Sequence, residues 1–246
     1  MKAVILAAGY ATRLYPLTKD KPKPLLTVGD KPIIEHIIGK LEAVPEIDEI
    51  HVVTNDKFHK NFHDWSDHFQ TKKKVVVHND GTKSNDDRLG AVGDMHFAID
   101  RAGIDDDVLV IGGDNLFEFE IDDMVSDFRK TGMSVVAARD LKDPAKLAKK
   151  FGVIETDSDG VIKTFEEKPE IPRSTLASTC IYLLNSASVS ELKDLNKKGR
   201  LFDNTGDLVR HLSEKDSVKC YTFDSRWFDI GSHDQLKEAH EYMLGK

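Results

Sequence analysis

Along the first 140 or so residues, short apolar runs alternate with segments whose apolar positions recur every three or four residues. Ala3-Val4-Ile5-Leu6-Ala7 is unbroken and ends at Ala8-Gly9, the pattern of a strand buried on both faces that stops at a tight turn. Similar runs follow at Ile50 to Thr54, Lys74 to His78, Val108 to Ile111 and Ser134 to Arg139. Between them the spacing predicts helices from Lys31-Pro32 through Ile38, across Phe58, Phe62, Trp65 and Phe69, over Leu89 to Ala102, and near Asp122 to Lys130. The Phe58-to-Phe69 series has the spacing of a core face. Strand and helix alternating in this way predict a mainly parallel sheet covered on both sides. Ligands of such sheets gather at the carboxyl ends of the strands.

From about Lys149 the rhythm changes. Phe151 to Thr156 and Val161 to Phe165 flank Asp157-Ser158-Asp159-Gly160 and predict a hairpin. A strand at Ser178 to Leu184, helices near Ala187 to Lys197 and Thr205 to Glu214, a strand at Ser217 to Phe223 and a last helix from Ser232 to Met243 complete the pattern. No linker, repeat or low-complexity tract interrupts it. The expectation is α/β: one domain over residues 1–246, a three-layer, mainly parallel mixed sheet with helices on both faces and a hairpin-rich second half.

Composition narrows the classes open to such a fold. With 39% hydrophobic and 32% charged residues the chain is ordinary for a globular protein. A formal charge of −8 argues against a nucleic-acid partner or an anionic membrane surface. No apolar run approaches a membrane span, and the N-terminal run is too short for a signal peptide. Two cysteines, Cys180 and Cys220, form neither a metal spacing nor a disulfide framework. A reduced, cytoplasmic protein is expected.

Against that acidic background, the cations Arg13, Lys19, Lys21 and Lys23 stand out in the segment after the first strand. Pro22 and Pro24 flank Lys23 and hold it extended. A strand that opens into small residues and fixed positive charge suits a polyphosphate, although a solvated basic loop is the bland alternative. Gly9-Tyr10-Ala11-Thr12-Arg13-Leu14 keeps only the first glycine of a dinucleotide fingerprint, and no P-loop is present. The cationic side chains must therefore take part in any phosphate site. Asp114, after an apolar strand and two glycines, is a natural hard-oxygen ligand for Mg²⁺, or a plain turn residue. Asp229, closing Arg226-Trp227-Phe228-Asp229, could share that ion if both strands end at one rim; otherwise it shapes the turn before the last helix, which Ser232 is better placed to cap. Glu167-Lys168, fixed by Pro169, could meet sugar hydroxyls and a phosphate, or be an exposed ion pair. The ten histidines show no metal or triad pattern and are expected at the surface.

Taken together, Leu6 to Leu14, Pro22-Lys23-Pro24-Leu25-Leu26, Leu89-Gly90-Ala91-Val92-Gly93, Gly113-Asp114-Asn115, Glu167-Lys168-Pro169 and Trp227-Phe228-Asp229-Ile230-Gly231 resemble, in order, the motifs of the sugar-nucleotide pyrophosphorylases. The chain looks most like the glucose-1-phosphate thymidylyltransferase group. The resemblance implies the Rossmann-like nucleotide-diphospho-sugar transferase fold, with a nucleotide-binding half over 1–140 and a sugar-binding half over 141–246. It implies a Mg²⁺-dependent reaction of a nucleoside triphosphate with a sugar 1-phosphate, giving a nucleotide sugar and pyrophosphate. By motif position, Arg13 would hold the leaving pyrophosphate, Lys23 the α-phosphate, and Asp114 and Asp229 the metal. Leu6, Ala7, Ala8, Gly9, Tyr10, Ala11 and Thr12 would line the nucleotide, with Asn79, Gly81, Leu89 and Gly90. Asn115, Glu167, Lys168 and Cys180 would face the sugar phosphate.

Several departures stand beside the match. Ala11 replaces a second glycine, and Cys180 a glycine near the sugar. The acidic Asn79-to-Asp87 loop differs from the base-reading stretch of the thymidylyl enzymes. The end at Lys246 leaves no room for the β-helix domain of longer relatives. The best single expectation is dTTP with glucose 1-phosphate. Uridylyl or cytidylyl transfer, another acceptor such as phosphocholine, a silent nucleotide-sugar regulator, and homo-oligomerisation stay open.

Overall fold

A computed structural model describes residues 1–200, 202–215 and 217–246. In chain order the elements are β1 (Lys2–Leu6), β2 (Thr27–Val28), β3 (Lys31–Pro32), α1 (Ile33–Glu42), β4 (Glu49–Thr54), α2 (His59–Ser66), β5 (Lys74–Asn79), α3 (Gly90–Arg101), β6 (Val108–Gly112) and β7 (Asn115–Phe117). Then come α4 (Ile121–Thr131), β8 (Ser134–Asp140), β9 (Val153–Thr156), β10 (Ile162–Glu166), β11 (Leu176–Leu184), α5 (Ser186–Lys197), α6 (Thr205–Lys215), β12 (Val218–Phe223), β13 (Trp227–Asp229) and α7 (His233–Leu244).

Among the described residues, nine strands form one mixed sheet. β6, β1, β4 and β5 lie side by side and parallel. β11 runs antiparallel to β6, and on its other edge to β8, which pairs in parallel with β12. The expected hairpin is the antiparallel pair β9–β10, turning at Gly160 with φ 76°, and it joins the sheet through the first residues of β11. β11 therefore changes partner along its length, from β9 to β6, and its pairing with β8 is irregular between Ser178 and Tyr182.

The unbroken apolar runs are explained by burial on both faces. Ala3 and Ile5 of β1 join α1, Phe58, Phe62 and α4 in one cluster, while Val4 joins α3, α5 and α6 in the other. Helices thus cover both faces, as the three-layer expectation required. Two short ladders were not anticipated. Lys31-Pro32, expected as the first helical turn, pairs with Thr27–Val28 instead, and α1 begins at Ile33. Pro32 has extended backbone geometry (ψ 149°) and serves as the N-cap. β13 pairs with β7 outside the main sheet. A further correction concerns the histidines: His51 is buried on the sheet, stacked on His78 and joined to it by a 2.9 Å hydrogen bond.

Candidate active site

From β1 the chain moves outward to β4 and β5, then returns to β6 on the opposite side of β1. The crevice between β1 and β6 is consequently the point where strand order reverses, the customary ligand site of an open α/β sheet. Leu6 pairs with Gly112 at its mouth, and the Gly113 N–H donates to the Leu6 carbonyl at 2.8 Å. A Cβ at Gly113 would lie 2.8 Å from that same oxygen, so only glycine permits this approach. The register therefore sets Asp114 directly across from the loop that follows β1.

That loop is held from beneath. The Asn55 side-chain amide donates to the Ala8 carbonyl at 2.7 Å, and the buried Thr18 hydroxyl donates to the Ala11 carbonyl at 2.8 Å. Ala11 takes the left-handed conformation, φ 47° and ψ 41°, which is the geometry a glycine would supply. It introduces the single 3-10 turn Thr12–Leu14 that carries Arg13. Lys23 lies on a second such turn, Lys23–Leu25, with Pro24 at its start. Its Nζ donates to Asp114 Oδ2 at 2.7 Å.

Asp229 is brought to the same place by a different route, because its pairing in β13 sets it opposite Asn115. Burial, and then the charge of Asp114, push its carboxyl up to about 6, while Lys23, Arg13 and Lys168 pull it back. Five charged residues from distant parts of the chain thus share one electrostatic neighbourhood. Arg13 is close to the chain just past Asp229: a Cβ at Gly231 would sit 3.3 Å from its Nη2.

Two adjoining hollows open here. A cleft of about 290 Å³ is lined by Leu6, Ala8, Gly9, Gly90, Asp114 and Cys180 among others. A smaller pocket of about 90 Å³ is lined by Ala7, Gly9, Ala11, Lys23 and Asp114 among others. Tyr10 lies buried beneath the loop, while Thr12 and half-exposed Leu89 stay at the rim. Cys180 sits in β11 at the irregular stretch, with φ 58°. Burial, followed by the nearby Asp114, pushes its thiol up to about 12, so it faces the cleft as a neutral group.

Other expected residues are engaged inside the protein. Asn115 is buried; its amide donates to the Gly112 carbonyl at 3.1 Å and its oxygen accepts from the Trp227 indole at 2.7 Å. It braces the Asp114 turn. Asn79 donates to Asp56 at 2.8 Å and accepts from the Gly81 N–H at 2.9 Å, shaping its own loop. Glu167 and Lys168 form an ion pair of 3.4 Å. They line neither hollow, although Lys168 reaches the Asp229 carboxyl through its field. Asn55, Thr18 and Asp94 were missed by sequence reasoning. Asn55 and Thr18 stand just beyond an apolar run or within a loop, where polar residues are unremarkable, and no motif points to them.

The fold and its crevice define an α/β protein of the Rossmann-like, nucleotide-sugar transferase class. The chain belongs to the nucleotidyl transferase family, whose model matches residues 2–246. It is 30% identical over its full length to the bifunctional protein GlmU of Methanocaldococcus jannaschii, spanning 55% of that protein. It is also 30% identical over 94% of its length to the "Putative mannose-1-phosphate guanyltransferase" of Sulfolobus acidocaldarius, spanning 60% of it. The chain thus covers little more than half the length of these curated relatives. Among solved structures it matches the "Putative Glucose-1-Phosphate Thymidylyltransferase from Bacillus anthracis in Complex with a Sucrose" with a TM-score of 0.85 and 28% identity, covering 100% of this chain and 96% of that one. Among the described residues, no helix is long and apolar enough to cross a membrane.

Proposed function

We propose that the chain transfers a nucleotidyl group from a nucleoside triphosphate to a sugar 1-phosphate, releasing pyrophosphate, with dTTP and glucose 1-phosphate the first pair to test. One observation carries the reading: at the mouth of the β1–β6 crevice the Lys23 ammonium pairs with the Asp114 carboxylate at 2.7 Å, beside the Gly9 loop. An anionic phosphate oxygen of the sugar phosphate attacks the α-phosphorus, and the bond from that phosphorus to the β-phosphate oxygen breaks. Both reactants are anions, so catalysis rests on positioning and on screening their charge. In this reading the N–H groups and small side chains of the Gly9 loop cradle the triphosphate. Arg13 holds the departing pyrophosphate, Lys23 steadies the α-phosphate, and Glu167 and Lys168 receive the sugar phosphate.

The carboxyls suit a divalent cation. Asp229 is kept from ionising readily by burial and by Asp114, so the pair carries a charge conflict that a hard dication would relieve. No group of three or more metal-binding side chains occurs among the described residues, leaving the remaining positions for phosphate oxygens and water. When bound, Mg²⁺ would neutralise phosphate charge and bring the two reactants into line.

The direct test incubates the protein with each nucleoside triphosphate and glucose 1-phosphate, and with other sugar 1-phosphates and phosphocholine, in the presence of Mg²⁺. Pyrophosphate and a nucleotide-linked product are expected together from at least one pair. No turnover across the panel, with the protein folded, would refute the assignment.

A further inference from the structure

Asp94 stands in α3, 8% exposed, on the wall of the wider cleft. Its Oδ1 and the Oδ2 of Asp80, in the loop after β5, are both fully buried, and neither receives an N–H or other O–H from a described residue. Asp80 is nevertheless near enough that, after burial, it is the group that raises the Asp94 carboxyl. Two carboxylate oxygens attract only if one proton lies between them.

The surrounding bonds decide which residue carries it. Asp80 Oδ1 accepts from the Thr82 N–H at 2.7 Å and from the Thr82 hydroxyl at 2.8 Å. Tyr10, under the Gly9 loop, donates in turn to Thr82 Oγ1 at 3.4 Å. These donors favour Asp80 as the anion, while burial and the adjacent Asp80 push Asp94 up to about 8. Asp94 is then the acid. Its Oδ1–H goes to Asp80, and Oδ2 is left as a carbonyl-like acceptor.

We propose that Asp94, tied to Asp80 by a shared proton, is the base-reading residue of the nucleotide site, its remaining oxygen accepting a hydrogen bond from an N–H on the edge of the nucleobase. The inference rests on the nucleotidyl-transfer reading and adds to it the group that selects the base. A heterocyclic N–H fits this wall better than a phosphate does. The pair already carries one negative charge, and Lys23 pairs with Asp114 and lines the adjoining smaller pocket rather than this wall. Other charged groups at this end are Asp56 after β4, Asp87 and Arg88 before α3, and Asp203 before α6. With so many carboxylates nearby, losing the shared proton would place a second charge beside a polyanionic substrate and turn the base edge away.

The test is calorimetric titration of the full chain with ATP, GTP, CTP, UTP and dTTP, and with inorganic tripolyphosphate, which has no base. Mg²⁺ is present and sugar phosphate absent. The wild type is expected to prefer one base. Asp94→Ala should weaken that nucleotide about tenfold, the worth of one buried hydrogen bond, and leave tripolyphosphate unchanged. Asp94→Asn can still donate to Asp80 and offer an oxygen, so it should retain the preference. Above about pH 8 the wild type should lose affinity for its preferred nucleotide while Asp94→Asn does not. A preference for UTP or dTTP assigns the imide N–H, ATP or CTP an exocyclic amino group, and GTP its N1–H or its amino group.

Unchanged discrimination in a folded Asp94→Ala protein would overturn the inference and leave the pair a loop brace. Loss in Asp94→Asn equal to that in Asp94→Ala would overturn it too. If Asp94→Ala does not fold, the pH comparison of wild type with Asp94→Asn decides. A wild type that binds no nucleoside triphosphate better than tripolyphosphate would sink the nucleotide reading itself, a separate and recognisable failure.

Discussion

Ala11 shows how a single backbone conformation can constrain a site. A non-glycine residue in the left-handed region carries a penalty of roughly 1–2 kcal/mol, and Ala11 adopts it at φ 47°. Glycine would remove that penalty while losing about 0.5–1 kcal/mol through its freer unfolded chain. Ala11→Gly should therefore leave stability unchanged or raise it by up to about 1 kcal/mol, and Ala11→Val should lower it by more than ~1 kcal/mol, read from urea midpoints at constant slope. Asp229 poses the opposite balance, between stability and chemistry. Its folded carboxyl titrates near 6 against an ordinary 3.8, so its unfavourable contribution is complete above about pH 6 and fades as the pH falls from 6 to 3.8. Asp229→Asn should stabilise the metal-free protein by on the order of 2 kcal/mol near pH 8 and by little near pH 4. In the nucleotidyl-transfer assay the same change should reduce turnover on the order of 100-fold. Thermal melts at both pH values, set beside the assay, check the two halves separately.

At the scale of elements, the second half of the chain positions its residues by close packing. α6 lies against β10 so tightly that a Cβ at Gly206 would fall 2.3 Å from Cε1 of the Phe165 ring and 2.8 Å from Glu167 Oε2. Gly206→Ala must shift the ring or the carboxylate, costing about 1–3 kcal/mol by overpacking. If Glu167 meets the sugar phosphate, KM for that substrate should rise while affinity for the nucleotide alone stays near wild type. An equal loss for both substrates would move Glu167 out of the proposed role. β11 is the other positioning element. By leaving β9 for β6 midway, it turns Cys180 into the cleft beside Gly112, where a Cβ would lie 3.3 Å from its sulfur.

For the whole molecule, pH response is set by groups that the fold buries in neutral form. Burial lowers His51 to about 4 and also lowers His36, His78 and His96. Below their ordinary value near 6.5 the unfolded chain takes up protons that the folded chain refuses, so these residues withdraw stability as the pH falls from about 6.5 to 4. Asp94 and Asp229, titrating high in the fold, act in the opposite sense over the acid range. Replacing His51 with valine, which suits a buried strand, should lower the midpoint of acid unfolding by about half a pH unit with little effect near pH 8. Circular dichroism followed across the acid range would show it; an unmoved midpoint would mean that His51 protonates without cost.

Much of this protein was readable from the chain because burial on two faces leaves a local mark. Unbroken apolar runs located β1, β4, β6 and β8, and apolar periodicity located α1, α3 and α4, each within a few residues. Gly9, Arg13, Lys23, Asp114 and Asp229 could be nominated because each stands just past an apolar run or in a motif. What the chain could not disclose depends on pairing between distant segments. The placement of Asp114 across from the Gly9 loop is decided by the β1–β6 register, and that of Asp229 by the β13–β7 ladder. Asn115 could be nominated by its motif, but its bonds to Gly112, Asp114 and Trp227 appear only in the fold. His51 and Asp94 carry no motif at all: a sheet face and a neighbouring loop, assembled only on folding, give one its buried neutrality and the other its buried carboxyl neighbour.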